Sequence, residues 1–170
     1  MKRMNPFFFS GSTEAKLDSK NRFVLPQAMR FGLVENGVLE FSLALGLGGC
    51  LSIYRQSDME KIVAKFQAKQ HVAKYQKFFT LFFSSLHKMS CDKVGRVVLP
   101  PMLKKMADVK GEIVIAGVLN KIEIWSKQRY EEQMNELMGP KGSNAELAKM
   151  SEEAFALLEE EDESPIHIFE

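Results

Sequence analysis

The sequence predicts an α+β fold in which two tandem copies of one unit pack into a single pseudo-symmetric barrel or sandwich. Each copy runs turn, strand, strand, strand, helix. Three observations predict this. Leu17-Asp18-Ser19-Lys20-Asn21-Arg22-Phe23-Val24-Leu25-Pro26 returns as Cys91-Asp92-Lys93-Val94-Gly95-Arg96-Val97-Val98-Leu99-Pro100, at an offset of 74 residues. Leu51-Ser52-Ile53-Tyr54 returns as Ile122-Glu123-Ile124-Trp125, at an offset of 71. After each match a serine, Ser57 or Ser126, opens an amphipathic stretch. One copy alone offers a few short strands and one helix, too little for its own core, so the copies are expected to cover each other's apolar faces.

The turn comes first. An Asp side chain accepts hydrogen bonds from backbone amides two or three residues on, which favours a turn. Asn21 and Gly95 are residue types that tolerate positive φ, so both copies ask for a left-handed residue at the same place. Arg22 and Arg96 then leave the turn at the start of an apolar strand and are expected to project at the loop edge, with Val24 and Val98 pointing inward. Gly37 and Gly111 each precede a strand-like run, Val38-Leu39-Glu40-Phe41 and Glu112-Ile113-Val114-Ile115. The offset falls by three residues beyond this point, which predicts a longer strand–strand loop in the first copy around Gly46, Gly48 and Gly49.

Ser57-Asp58-Met59-Glu60 has the form of a capping box, Ser at N-cap and Glu three residues on. Met59, Ile62, Val63 and Phe66 then recur at helical spacing, with Lys61, Lys65 and Lys69 on the opposite face. Ser126 is the expected N-cap of the second copy's helix, whose buried side is Tyr130, Met134, Leu137 and Met138. Gly139-Pro140-Lys141-Gly142-Ser143-Asn144 is a break. A last helix is expected over about residues 145–160, with Leu147, Met150, Ala154, Leu157 and Leu158 as its apolar stripe, followed by an acidic run and a short apolar tail. Between the copies, Phe78-Phe79-Thr80-Leu81-Phe82-Phe83 is too apolar for a solvated linker and reads as core or subunit interface. The expected organisation is a repeat domain over residues 1–138, with copy one at about 7–77 and copy two at about 84–138, and an acidic helix and tail over 139–170.

The 170 residues are 45% hydrophobic and 26% charged, an ordinary globular composition. No apolar run approaches the roughly 18 residues that span a bilayer, and the apolar start is too short for a signal-peptide core, so a cytoplasmic location is expected. Cys50 and Cys91 form no CxxC, and His71, His87 and His167 are scattered, so neither a disulfide framework nor a metal site is expected. The net charge of +1 conceals a division. Residues 1–130 hold 21 Lys+Arg and 10 Asp+Glu, a net of +11, and residues 131–170 hold 2 and 12, a net of −10. A basic body of this size favours a polyanionic partner; solvated lysine faces are the plainer alternative.

In isolation each Asp-x-x-(Asn/Gly)-Arg reads as an exposed ion pair, Asp18 with Arg22 and Asp92 with Arg96, contributing little stability. Two copies, each beside a lysine (Lys20, Lys93), shift the reading toward binding. Arg presents a planar fork of donors suited to phosphate oxygens or to guanine in the major groove. These residues, with Leu25-Pro26, Leu99-Pro100 and the ending Ile122-Glu123-Ile124-Trp125, resemble the MraZ family of bacterial transcriptional regulators over about residues 7–138. Asn21 stands where that family usually has Gly, and Val94 where Gln is common.

The resemblance implies an AbrB-like, swapped-hairpin β-barrel with flanking helices. It implies sequence-specific binding of double-stranded DNA at short direct repeats upstream of the division and cell-wall gene cluster that contains the protein's own gene, acting as a repressor at the nucleoid. It also implies a homo-oligomeric ring of about eight or more copies. Carried over by position, the DNA contacts are Arg22 and Arg96, with Lys20 and Lys93 as secondary phosphate contacts. Asp18, Asn21, Asp92 and Gly95 form the turns. No cofactor, metal, membrane or small-molecule substrate is implied, and no catalysis. Three alternatives stand beside this. Gly46-Leu47-Gly48-Gly49 hints at a phosphate loop, but it lacks the remaining motif glycine and the Lys-Ser/Thr, and it joins two strands. The acidic helix and the phenylalanines suit a protein-interaction module. An AbrB-like antitoxin usually carries only one copy of the repeat.

Overall fold

The computed structural model describes residues 7–139 and 145–160. In chain order these form β1 (Ser12–Lys16), β2 (Arg22–Val24), α1 (Gln27–Leu33), β3 (Val34–Glu35), β4 (Val38–Leu39), β5 (Phe41–Leu45), β6 (Leu51–Arg55), α2 (Gln56–Ala68), α3 (Gln76–Ser85), β7 (His87–Met89), β8 (Arg96–Val98), α4 (Pro101–Met106), β9 (Glu112–Val118), β10 (Lys121–Ser126), α5 (Lys127–Met138) and α6 (Ala145–Glu160). The chain divides into two compact units, one ending at Arg129 and one beginning at Tyr130.

The mixed α+β architecture is built by strand exchange between the copies. One sheet runs β1-β9-β10-β6-β5-β7, and β2 pairs separately with β8. The first strand of copy one therefore lies on the β9–β10 hairpin of copy two, and the first strand of copy two lies on the β5–β6 hairpin of copy one. The registers are pseudo-two-fold. Ile122 faces Ile53 and Ile124 faces Leu51, around a central pair of Ser52 and Glu123. On the other ladder Arg22 faces Val98 and Val24 faces Arg96, around Phe23 and Val97.

The same registers correct the expected site of the length difference. Thr13 faces Ile115 and Ala15 faces Ile113, while His87 faces Leu43 and Met89 faces Phe41. Phe41 is thus the counterpart of Ile113, an offset of 72. Two of the three extra residues lie before β5, in the hairpin β3–β4, which copy two lacks among the described residues. Only one lies in the Gly46–Cys50 loop. The turn of the additional hairpin is Asn36-Gly37, both at positive φ (52° and 75°), the geometry that matches strand twist in a two-residue connection.

The core draws on both copies at matching positions. Phe23 and Val97, Leu25 and Leu99, and Leu33 and Ala107 are all buried in one cluster with Leu43 and Ile115. Burying each of the larger of these side chains, the leucines, valine, isoleucine and phenylalanine, contributes about 1.5–3 kcal/mol, and the cluster they form draws on both copies. The opposite face of β5 and β6 is covered by α2 and α3, where Ala44, Met59 and Phe82 are buried together. Phe66 of α2 sits edge-on to Phe78, Phe79, Phe82 and Phe83 of α3, with ring centroids 5.5–5.9 Å apart. The aromatic stretch between the copies is therefore a packed helix. Phe82 lies inside it, while Phe78, Leu81 and Phe83 remain exposed.

The short helices α1 and α4 follow Pro26 and Pro100 directly, each proline occupying the N-cap position. Capping of α2 differs from expectation. Its N-cap is Arg55, with no side-chain cap bond from Ser57. Instead Glu35, delivered by the β3–β4 hairpin, accepts the backbone N–H of Ser57 at 3.1 Å and its hydroxyl as well. A carboxylate at the helix N-terminus satisfies an orphan donor and opposes the helix dipole. Arg55 itself is 6% exposed. Its charge is met by Asp58 at 3.2 Å, by the Gly32 carbonyl at 2.7 Å and by the ring of Phe9. In copy two Ser126 caps α5 as expected, accepting the N–H of Arg129 at 3.1 Å.

Along α5, Tyr130, Met134 and Leu137 are half-buried, but none reaches full burial, and Met138 is exposed. Helix α6 spans Ala145–Glu160, and along its apolar stripe Met150, Leu157 and Leu158 are exposed. The expected break at 140–144 and the apolar tail lie outside the described residues, as does the acidic run beyond Glu160.

Because Glu35 caps α2, Glu35→Ala is expected to lower unfolding stability by about 1–2 kcal/mol, measured by urea denaturation. Loss of stability in Ser57→Ala with Glu35→Ala silent would restore the serine cap.

Candidate nucleic-acid interface

Both Asp-x-x-(Asn/Gly)-Arg elements fold into the same closed turn. Asp18 Oδ1 accepts the backbone N–H groups of Lys20 and Arg22, each at 2.9 Å. Its Oδ2 accepts Arg22 Nε–H at 2.7 Å. Asp92 repeats this with Val94 at 3.0 Å, Arg96 N–H at 2.9 Å and Arg96 Nε–H at 2.6 Å. Asn21 and Gly95 stand at φ 57° and 92°, and each donates its N–H to the Asp carbonyl three residues back at 3.0 Å. Each turn is also tied to the other copy. Leu25 N–H reaches the Gly95 carbonyl at 2.9 Å, and Leu99 N–H reaches the Asn21 carbonyl at 2.8 Å.

The ion pair uses Nε of each arginine, so its two terminal nitrogens lie outside that bond. Strand periodicity then decides what surrounds them. Phe23 and Val97 are 1% and 0% exposed, whereas Val24 and Val98 are 49% and 50% exposed. This reverses the expectation that the valines point inward: the arginine and the valine lie two residues apart and share the outer face. Arg22, Val24, Arg96 and Val98 thus form one symmetric patch over the core. Lys20 and Lys93 are both exposed at the turns but at non-equivalent positions, since Val94 makes in copy two the backbone bond that Lys20 makes in copy one.

Two cations absent from the expected set also reach the turns. Lys104 of α4 donates Nζ–H to Asn21 Oδ1 at 2.9 Å. Arg30 of α1 lies against Gly95, where a Cβ would fall 2.5 Å from its Nη1. Both hold the offset of 74 and both stand four residues after the conserved-in-repeat proline, Pro26 or Pro100. That repetition, with Met29 and Leu33 matched to Leu103 and Ala107, was the signal that would have found the two short helices and their cations.

Elsewhere the alternatives find little. Residues 46–49 turn between β5 and β6, closed by Gly46 N–H to the Cys50 carbonyl at 2.9 Å, with Arg129 on the Gly49 carbonyl. Cys50 is buried, and burial pushes its thiol up to about 12, which makes it an unreactive core residue. No three His, Cys, Asp or Glu side chains gather to hold a metal among the described residues, and no described helix is long and apolar enough to cross a membrane.

The backbone N–H of Arg22, joined by the Arg22 side chain and the Lys20 N–H, holds the Asp18 carboxyl below the ordinary value of 3.8, against desolvation, which acts the other way. The N–H of Arg96 does the same for Asp92. A depressed carboxylate contributes stability above its unfolded value and loses it as pH falls through the folded one. The Nε–H signals of Arg22 and Arg96 are therefore expected to stay protected from exchange in mild acid and to lose protection only below pH 3.8. Loss of protection between pH 7 and 5 would show that the carboxylates do not hold the arginines.

Comparison with known proteins gives a family whose repeat matches this one. The model of the MraZ protein family, described as antitoxin-like, matches the chain twice, over residues 8–80 and 82–153; the second match runs into α6. The Transcriptional regulator MraZ of Clostridium acetobutylicum is 36% identical over 147 residues, covering 85% of this chain and 97% of its own length. That of Pediococcus pentosaceus is 35% identical over 129 residues, 75% of this chain and 87% of its own. That of Cytophaga hutchinsonii is 28% identical over 150 residues, 88% and 95%. Two tandem family matches, the first holding β1–β6 and the second β7–β10, and relatives matched along most of their length, establish that the chain belongs to the MraZ family.

Proposed function

We propose that this protein is a DNA-binding transcriptional regulator that reads duplex DNA with the paired turns of its repeats. The observation that carries the reading is the outward face of the β2–β8 ladder. Two arginines, each bonded through Nε to its own aspartate, stand on a paired strand rather than in a loop and keep their terminal nitrogens outside that bond. Such a fork suits guanine O6 and N7 or a backbone phosphate. The exposed Val24 and Val98 between them offer apolar surface for thymine methyl groups. Lys20 and Lys93 supply phosphate contacts, which position the protein without reading sequence. Asp18 and Asp92 face away from this role, since a carboxylate repels phosphate; they orient the arginines.

In this reading the swapped strands close a barrel of the AbrB-like class, and the double repeat over residues 1–138 is the binding domain, followed by an acidic segment over 139–170. The protein represses, in the cytoplasm at the nucleoid, the division and cell-wall cluster that contains its own gene. Several copies assembled in a ring engage short direct repeats together. The relatives' shared name as transcriptional regulators supports the regulatory role, and the net charge of +11 on residues 1–130 supports a polyanionic partner.

A gel shift on the DNA upstream of the protein's own coding sequence, with unrelated duplex as competitor, tests the reading. Arg22→Ala and Arg96→Ala are each expected to lose about 1–3 kcal/mol of discrimination per site, multiplied where several protomers engage. Thermal midpoint and sedimentation should stay near wild type. Normal binding with early melting or smaller species would make the turns purely architectural.

Affinity is also expected to fall steeply with salt, the slope of log K against log salt growing by about −0.9 for each neutralised phosphate. A flat response between low and moderate salt would contradict phosphate binding.

A further inference from the structure

The two turns share their internal hydrogen bonds but not their support. Beneath the turn of copy one, the Lys104 ammonium donates to Asn21 Oδ1 at 2.9 Å. Beneath the turn of copy two, the Arg30 guanidinium fills the space where a side chain would begin: a Cβ on Gly95 would lie 2.5 Å from Nη1, 2.6 Å from Cζ and 2.8 Å from Nε. Arg30 Nε is buried with no hydrogen-bond partner among the described residues, and a buried donor left unpaired costs stability. The backbones differ accordingly, with φ 57° at Asn21 and 92° at Gly95. The first value is ordinary for a left-handed asparagine; the second suits glycine.

We propose that Arg30 and Lys104 are positioning residues for the two DNA-reading arginines, and that each is matched to the residue in the turn above it. The inference rests on the DNA-binding reading. A planar guanidinium needs a bare backbone to lie against, so Arg30 requires Gly95. A single ammonium leaves a gap and needs an acceptor, so Lys104 is paired with Asn21. Each cation comes from the copy opposite its turn. The helix of one repeat therefore fixes the backbone step from which the other repeat's arginine departs. Asn21 is on this account the complement of Lys104, as Gly95 is of Arg30.

Exchanging the halves of each pair tests this. Gly95→Asn alone puts a side chain into Arg30 and is expected to weaken binding of the upstream duplex about tenfold, a typical coupling between touching residues. Adding Arg30→Lys recreates the arrangement of copy one and should restore affinity to within about twofold. Reciprocally, Lys104→Arg should weaken binding, and Lys104→Arg with Asn21→Gly should recover it, so the test does not depend on one variant folding. A readout without DNA accompanies each: exchange protection of the Nε–H of Arg96 or Arg22 should fall in the single variants and return in the doubles. Single variants that bind and protect as wild type does, or doubles as impaired as the singles, overturn the proposal. Failure of the DNA-binding reading looks different: wild type would not shift the duplex, while the Nε–H pattern would still report on the pairs.

Discussion

Three residues from each copy, Arg22–Val24 and Arg96–Val98, form the antiparallel ladder from which both the core and the outer face hang. Its inner side chains, Phe23 and Val97, lie on the pseudo-two-fold and are fully buried. Its outer side chains are two arginines and two valines. Side-chain alternation along so short a strand allows no compromise: a register slip of one residue would bury the arginines and expose Phe23. The hydrophobic demand of the core thus fixes the arginines in space. The turns beyond the ladder are pinned from the same side, since the carbonyls of Asn21 and Gly95 accept N–H groups from the opposite copy.

Strand exchange extends this dependence to the whole sheet. β1 finds its partner in β9, and β7 finds its partner in β5, so neither repeat completes its own edge. A repeat separated from its twin would expose strand edges as well as apolar faces, and such edges pair readily with other chains. Duplication within one chain keeps the correct partner at high effective concentration. The buried Arg55 adds a second tie: with Asp58, the Gly32 carbonyl and Phe9 around it, it joins the start of α2 to the end of α1.

The sequence made much of this legible, and the misses share a cause. The repeated Asp and Arg, the strand ending Ile122–Trp125 and the Ser126 cap depend on local chemistry, and local pattern suffices to read them. The helices α2 and α6 carry clear periodicity. By contrast, the orientation of Val24 and Val98 depends on which side of a three-residue strand meets the core, and apolar residues on both sides erase the alternation. The β3–β4 hairpin hid behind a coincidence, because Gly37 and Gly111 align at the repeat offset although one belongs to a hairpin turn and the other precedes β9 directly. Helix α1, of seven residues, and α4, of six, are too short for periodicity to stand out. Glu35 caps a helix that begins 21 residues later, and Lys104 reaches a turn 83 residues away; no local window contains either pair.

The differences between the copies then acquire a common explanation. In a symmetric dimer of single repeats, any change to a turn would appear in both turns, and any change to a supporting helix in both supports. An arginine lying on glycine and a lysine bonded to asparagine could not occur in the same assembly. Joining the repeats in one chain removes that restriction, because each position exists once. Copy one can then take a hairpin whose Glu35 caps α2, while copy two caps α5 with Ser126 and needs no hairpin. The hydrogen bonds of the turns stay alike because both arginines need the same hold on their aspartates. The residues supporting those turns are free to differ as long as each pair remains complementary.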